Sequence, residues 1–185
     1  MEADRLKWDE RYLTKPENNT PDSFLQENIG FLRRPRLLDI AGGYGRNALF
    51  LASKGFEVTL ADISEVGFQK LASNPRSADL KIKPLRIDLD FPEALRFEKA
   101  FNSIVCINFR LQSELLKLIP DRMNQDDIFF WCSFNELQAL ETGFPIDKSL
   151  KPNEFIEYFT ELTLIHHQRF EDQTGKRDGY IFRKN

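Results

Sequence analysis

One stretch constrains this chain more than any other. It is Leu38-Asp39-Ile40-Ala41-Gly42-Gly43-Tyr44-Gly45-Arg46-Asn47-Ala48, followed one helix-length later by Val58-Thr59-Leu60-Ala61-Asp62. Residues 36–40 read as a strand, 46–54 as a helix with Ala48, Leu49, Leu51 and Ala52 on its inner face, and 56–61 as a second strand. That order is a βαβ unit, and Gly55 stands where its helix must stop. Glycines between strand and helix let the backbone turn tightly and admit a ligand to contact distance, which a Cβ would block.

The alternation continues with a helix near 65–72, a strand near 80–87, a strand at 101–107, a helix at 111–119 and a strand at 128–134. Ile104-Val105-Cys106-Ile107 and Ile128-Phe129-Phe130-Trp131-Cys132 lack polar alternation, as expected of strands covered by helices on both faces. The fold class is therefore α/β, a Rossmann-like, doubly wound and mostly parallel sheet. Near the end, 162–170 and 179–182 read as strands joined by the polar stretch 171–178, too short for a crossover helix, so they pair antiparallel. At the start, an amphipathic piece carrying Leu6, Trp8 and Tyr12 precedes the connector Thr14-Lys15-Pro16-Glu17-Asn18-Asn19-Thr20-Pro21. We read residues 1–30 as a helical cap or lid within one domain spanning 1–185, since 185 residues suit a single core.

Charge narrows the function. With 26 basic against 29 acidic residues the net charge is −3, which supplies no broad positive field for nucleic acid phosphates. No stretch approaches the roughly 18 apolar residues that cross a bilayer. The opening Met1-Glu2-Ala3-Asp4 is acidic where a secretory signal is basic, so a soluble, cytoplasmic protein is expected. Cys106 and Cys132 fit neither a disulfide framework nor a zinc site, and no metal is expected.

The ligand is read from the acids. Asp62 follows Gly43 by nineteen residues at the end of the second strand, where a carboxylate can accept hydrogen bonds from vicinal ribose hydroxyls. Gly43-Tyr44-Gly45-Arg46-Asn47-Ala48 satisfies the dinucleotide fingerprint G-x-G-x-x-G/A, so NAD is one candidate. Asp39 argues against it, because a carboxylate beneath the turn repels a pyrophosphate at the helix N-terminus. S-adenosylmethionine has no phosphate and carries a cationic amino group and a sulfonium, which an acidic strand end attracts. A third acidic site, Asp88-Leu89-Asp90, can accept from an adenine amino group with Leu89 against the ring; its alternative reading is a solvated loop.

The glycine turn and Asp62-Ile63-Ser64 resemble those of class I S-adenosylmethionine-dependent methyltransferases. Gly45-Arg46-Asn47, the Trp8-Asp9-x-Arg11-Tyr12 opening and Asp88-Leu89-Asp90 resemble the small tellurite-resistance and thiopurine-type branch. So do Gly143-Phe144-Pro145 and Leu150-Lys151-Pro152-Asn153-Glu154-Phe155. The resemblance implies a seven-stranded sheet with an antiparallel C-terminal strand, Gly43 and Gly45 lining the methionine moiety, Asp62 holding the ribose and Asp88 reading the adenine. The candidate donor site is then Asp39, Ala41, Gly42, Gly43, Gly45, Arg46, Asn47, Asp62, Ile63, Asp88, Leu89 and Asn108. Ala41 departs from the class, which usually has its first glycine there.

Methyl transfer from a sulfonium is an in-line displacement that chiefly needs alignment in a water-poor pocket. A thiolate or chalcogen oxyanion needs no base, whereas a hydroxyl or amine does. No catalytic base is identified: His166 and His167, the only histidines, point to opposite faces of a strand. Arg46 can balance Asp39 or steer an anionic acceptor, or stand exposed in the first helical turn. Candidate substrate contacts are Trp8, Arg11 and Tyr12, which share one helical face, and Phe109 and Arg110 at the carboxyl edge of the sheet. For the N-terminal group the alternative is a helix simply docked on the sheet edge. The leading expectation is a monomeric or homodimeric enzyme that methylates a small-molecule acceptor. The alternatives are an NAD-binding oxidoreductase and a catalytically silent nucleoside-binding protein.

Overall fold

The computed structural model describes residues 2–14, 16–96, 100–152, 154 and 158–185. Its strands are β1 (Arg36–Ile40), β2 (Glu57–Asp62), β3 (Ile82–Arg86), β4 (Ser103–Ile107), β5 (Ile128–Phe134), β6 (Leu162–Asp172) and β7 (Gly175–Lys184). The α-helices among the described residues are α1 (Glu2–Thr14), α2 (Ser23–Asn28), α3 (Arg46–Ser53), α4 (Glu65–Ser73), α5 (Ser113–Leu116) and α6 (Glu136–Thr142). One seven-stranded sheet runs in the order β3-β2-β1-β4-β5-β7-β6. Every pairing from β3 to β5 is parallel, and only β7 runs against its neighbours. The chain reverses its direction of travel across the sheet between β1 and β4, so a crevice opens beyond their carboxyl ends, the place where such sheets bind ligands.

Two apolar clusters sandwich the sheet. Leu38, Ile104, Cys106, Phe129, Trp131 and Phe182 belong to one, while Leu37, Val105, Ile107, Phe130, Cys132 and Ile181 belong to the other. Neighbouring residues of each central strand thus face opposite cores, which is why these strands read as unbroken apolar runs. Helices α2, α3 and α4 cover the second cluster through Phe24, Leu25, Leu49, Leu51 and Leu71. Edge strand β3 is more exposed and tolerates Pro84 in its middle.

Four local features differ from the sequence reading. The C-terminal hairpin is longer than expected, since β6 reaches Asp172 and β7 begins at Gly175. The polar stretch belongs to the sheet because Arg177 and Asp178 are buried and ion-paired rather than solvated. The helix expected over 111–119 closes its α-helical ladder only at Ser113–Leu116, yet Leu115, Leu116 and Ile119 are buried as the pattern requires. Helix α6 was not anticipated, and α2 is a separate short helix within the expected helical segment 1–30. Both start at side-chain caps, Asp22 accepting from the Phe24 N–H and Asn135 from Leu137 and Gln138. Within the connector and the distal motif, Lys15, Asn153 and Phe155 lie outside the described residues.

Candidate active site

The turn after β1 places Ala41 at φ 54°, Gly43 at 61° and Gly45 at 86°, all in the left-handed region. It is closed by the Gly45 N–H donating to the Gly42 carbonyl at 3.0 Å. Two of its glycines are required by close approach. A Cβ on Gly42 would lie 2.7 Å from Asp39 Oδ2, and one on Gly43 would lie 2.8 Å from the Tyr12 hydroxyl oxygen. Ala41 keeps the left-handed conformation that glycine adopts more readily, so the turn survives the substitution.

Three buried carboxylates surround this turn. Asp39 is only 1% exposed, and its Oδ2 finds no hydrogen-bond partner among the described residues. Burial first, and then the neighbouring charge of Asp62, push its pKa up to about 7 against the partial relief of Arg46. Asp62 accepts from the Gly43 N–H at 2.8 Å and the Ser64 N–H at 2.9 Å. Burial still raises its pKa against those bonds. Asp9 projects from α1: Oδ1 accepts from Ser64 Oγ at 2.5 Å and the Val66 N–H at 3.2 Å, and Oδ2 from Arg5 at 2.7 Å. Burial pushes its proton affinity up, but those bonds prevail and hold it below the ordinary carboxylate range.

Helix α1 forms the outer wall. Tyr12 sits over Gly43, stacks obliquely with Trp8 at 5.8 Å and meets Tyr44 edge-on at 5.6 Å, while the Arg11 guanidinium lies 5.3 Å from the Trp8 ring centroid. The sequence-defined group Trp8, Arg11 and Tyr12 is therefore brought together beside the turn. At the helix's other end, Glu2 and Arg5 join Ile63, Arg86, Ile87 and Asp88 around a cleft of about 350 Å³. Leu89 packs against the core instead. The amphipathic reading of α1 does not explain its docking, since Leu6 is 54% exposed and Leu13 68%. The connector is tied to the turn too: the Tyr44 hydroxyl donates to the Asn18 carbonyl and accepts from the Asn18 N–H.

On the β4 side, Asn108 has φ 58°, and its side-chain oxygen accepts from Arg177 at 3.2 Å. Asn47 accepts from the Asp22 N–H at 2.9 Å, and Arg46 lies 3.8 Å from the Asp22 carboxylate. Phe109 packs against the core while its carbonyl accepts from Trp131 Nε1 at 3.0 Å. Arg110 is engaged by Glu154 at 2.5 Å and by the Ser149 carbonyl, which anchors the segment after α6. The histidines lie elsewhere: His166 stacks on Phe24 and Phe31, and His167 on Tyr180.

Sequence reasoning missed Asp9, Ser64 and Gly67. A Cβ on Gly67 would lie 2.8 Å from the Gly43 carbonyl oxygen, so this residue lets α4 approach the turn. Its signal was a glycine inside a helix, which costs about 1 kcal/mol and calls for a reason. Asp9 lay within the quoted opening motif without a role.

Strand order, glycine turn and strand-end acids fit a class I S-adenosylmethionine-dependent methyltransferase, and the comparisons with known proteins show that class. Residues 6–168 match the family of tellurite resistance protein TehB, and the chain belongs to that family. Among solved structures, TehB from Haemophilus influenzae superposes with a TM-score of 0.71 at 17% identity, covering 98% of this chain and 67% of that one. The CcbJ methyltransferase from Streptomyces caelestis gives 0.71 at 17% identity, with 95% of each chain covered. An S-adenosylmethionine-dependent methyltransferase from Clostridium acetobutylicum gives 0.70 at 13%, covering 100% and 98%. No curated protein matches the chain in sequence. Among the described residues no helix is long and apolar enough to cross a membrane.

Proposed function

We propose that this protein is a cytoplasmic enzyme that methylates a small acceptor that is already nucleophilic, such as a thiolate or a chalcogen oxyanion. The observation that carries the reading is Asp39, a buried carboxylate whose Oδ2 finds no hydrogen-bond partner among the described residues, beneath a turn of glycines. An unpaired buried charge is costly unless a partner arrives, and a cation is the partner it suits. The same carboxylate repels the pyrophosphate of a dinucleotide.

The residues present fit the donor's parts. Asp39 and the Gly42–Gly43 backbone would face the ammonium and sulfonium end, Asp62 would accept from ribose hydroxyls, and Ile63 and Asp88 line the cleft suited to a base. When bound, S-adenosylmethionine supplies a methyl group already activated by its sulfonium charge. The protein's share is to hold and align it and to exclude water.

An acceptor that needs no base is supported by the groups around the turn. Neither imidazole lies there, and burial raises the Tyr12 phenol's proton affinity, with the charge of Asp62 adding to it, so Tyr12 stays a neutral hydroxyl. Cys106 and Cys132 are buried, and their thiols are pushed up, so neither offers a thiolate. Asp39 titrates near neutrality, but the cation it attracts lowers its hold on a proton.

Two measurements test this reading. Calorimetric titration should detect S-adenosylmethionine and S-adenosylhomocysteine and no NAD. Methyl-labelled donor should yield product with thiols or with selenium and tellurium oxyanions ahead of amines and phenols. Binding of NAD alone would overturn the donor, and exclusive methylation of amines would overturn the acceptor class.

A further inference from the structure

Of the three buried carboxylates around the glycine turn, Asp9 is the one for which the proposed chemistry has no task. It is the buried residue of a helix whose other side chains are at least partly exposed. An isolated helix of this length is marginal in water. Leu6 and Leu13 face solvent, so the helix's leucines do not hold it and its ring contacts are those of Trp8 and Tyr12. The hold is polar and passes through α4. Asp9 accepts from Ser64 Oγ and the Val66 N–H, Ser64 caps α4 by accepting from the Gly67 N–H at 3.0 Å, and Gly67 abuts the Gly43 carbonyl. Three residues along the same helical face, Tyr12 also reaches Gly43. Gly43 is thus approached by two arms of one connected assembly, and Asp9 joins them.

The geometry points to Asp9 as a positioning residue that, by gripping the first turn of α4, holds the Tyr12 hydroxyl over Gly43 and keeps α1 closed across the donor crevice. This rests on the donor reading above. Glu2 and Arg5 line the cleft at one end of α1 and Tyr12 covers the turn at the other, so the helix spans the crevice from Asp88 to Gly43. Exchange of donor and product then requires the bonds to Asp9 to break. Residence time depends on a carboxylate that touches neither ligand.

Stopped-flow dissociation of S-adenosylhomocysteine is measured for the wild type, Asp9→Ala, Asp9→Asn, Tyr12→Phe and the Asp9→Ala/Tyr12→Phe pair. Loss of hydrogen bonds to a charged group predicts that Asp9→Ala releases the ligand at least about tenfold faster. Asp9→Asn, which keeps an oxygen for Ser64 and Val66 but turns an amide N–H towards Arg5, should recover part of the difference. In the Tyr12→Phe background the Asp9 effect should shrink, because the two act in series. Without ligand, hydrogen exchange at the Gly43 and Gly45 amides should quicken in Asp9→Ala while β4 and β5 keep their protection, which separates displacement of α1 from general unfolding. Equal release rates in wild type and Asp9→Ala, or an undiminished Asp9 effect beside Tyr12→Phe, overturn the positioning role and leave the donor reading standing. Failure of the wild type to bind S-adenosylhomocysteine at all removes both.

Discussion

The crevice beyond β1 and the foot of the β6–β7 hairpin both bury charge, and they treat it in opposite ways. At the hairpin, Arg177 is fully buried and donates to Asp22 at 2.5 Å, to Asp172 and to Ser23, with its guanidinium 4.9 Å from the Phe170 ring. On the other face of β7, Asp178 accepts from Arg169 at 2.8 Å and from Asn135 at 3.1 Å. Burial opposes ionisation of Asp172, but bonds from Ser23 and Thr174 and the charge of Arg177 outweigh it and lower its pKa. In the crevice no cation among the described residues is bonded to Asp39 or Asp62, and both are raised. A buried charge with its partner supplied holds the fold together, whereas one left waiting marks a candidate binding site.

The sharpest break of this contrast is to remove the hairpin's cation. In Arg177→Met, buried Asp22 loses its hydrogen-bonded counter-charge and keeps only Arg46 at 3.8 Å, and partly buried Asp172 loses its own, a change that typically costs about 3–5 kcal/mol. For a chain of this length the midpoint of thermal unfolding should fall by roughly 6–20 °C. Differential scanning calorimetry checks it, and an unchanged midpoint would mean that the cluster is not structural.

Asp39→Asn should do the reverse. Its folded pKa of about 7 stands above the ordinary 3.8, so the native state holds a proton that the unfolded chain has lost between those values. Stability from this group is therefore undiminished below pH 3.8, declines as pH rises toward 7, and stays reduced above that. At about 1.4 kcal/mol per pKa unit, the relief in Asp39→Asn approaches roughly 4 kcal/mol at pH 8 as an upper value. The variant should melt higher than wild type at pH 8 and equally at pH 3.5, while binding S-adenosylhomocysteine more weakly. Wild-type affinity should tighten from pH 6 to 8 by up to about tenfold per unit below the pKa, and the variant's should stay flat. Parallel pH profiles for the two proteins would show that Asp39 is not the titrating group.

Asp62 lies between these extremes, since it is raised yet accepts two backbone N–H groups. Asp62→Ala should weaken donor binding by about 1–3 kcal/mol and lower stability as well, because the Gly43 and Ser64 N–H groups lose their acceptor. A calorimetric titration and a thermal melt on the same sample read both. A loss of affinity with unchanged stability would make Asp62 a purely waiting charge like Asp39.

These regions were not equally legible. The crevice was readable because its demands are local: a strand, left-handed turn positions and an acid at a strand end leave signs within about 25 residues, and glycine is nearly the only answer to some of them. The hairpin foot hid its logic in distance. Arg177 meets Asp22 across 155 residues and Asp9 meets Ser64 across 55, so the polar run 171–178 looked like solvent-facing loop. Buried polar residues carry no periodic signature when their partners lie elsewhere in the chain. Helix α6 and the cap of α2 were missed because each is too short for a pattern to emerge.

The smallest effect tests the turn itself. A non-glycine residue at φ 54° carries about 1 kcal/mol or more of strain, and Ala41 stands there where the class usually has glycine. Two terms offset that strain: glycine at this position loses more conformational freedom on folding, and Ala41 packs against the apolar core. Ala41→Gly should therefore raise stability by only about 0.5 kcal/mol, a shift of roughly 1–2 °C, with donor affinity changed by less than about twofold. A clear loss of stability would mean that methyl packing exceeds the strain and that the alanine holds the turn against the core. A large gain in affinity would instead place the strain on the ligand-bound form, so that this chain binds its donor more weakly than the same turn with glycine.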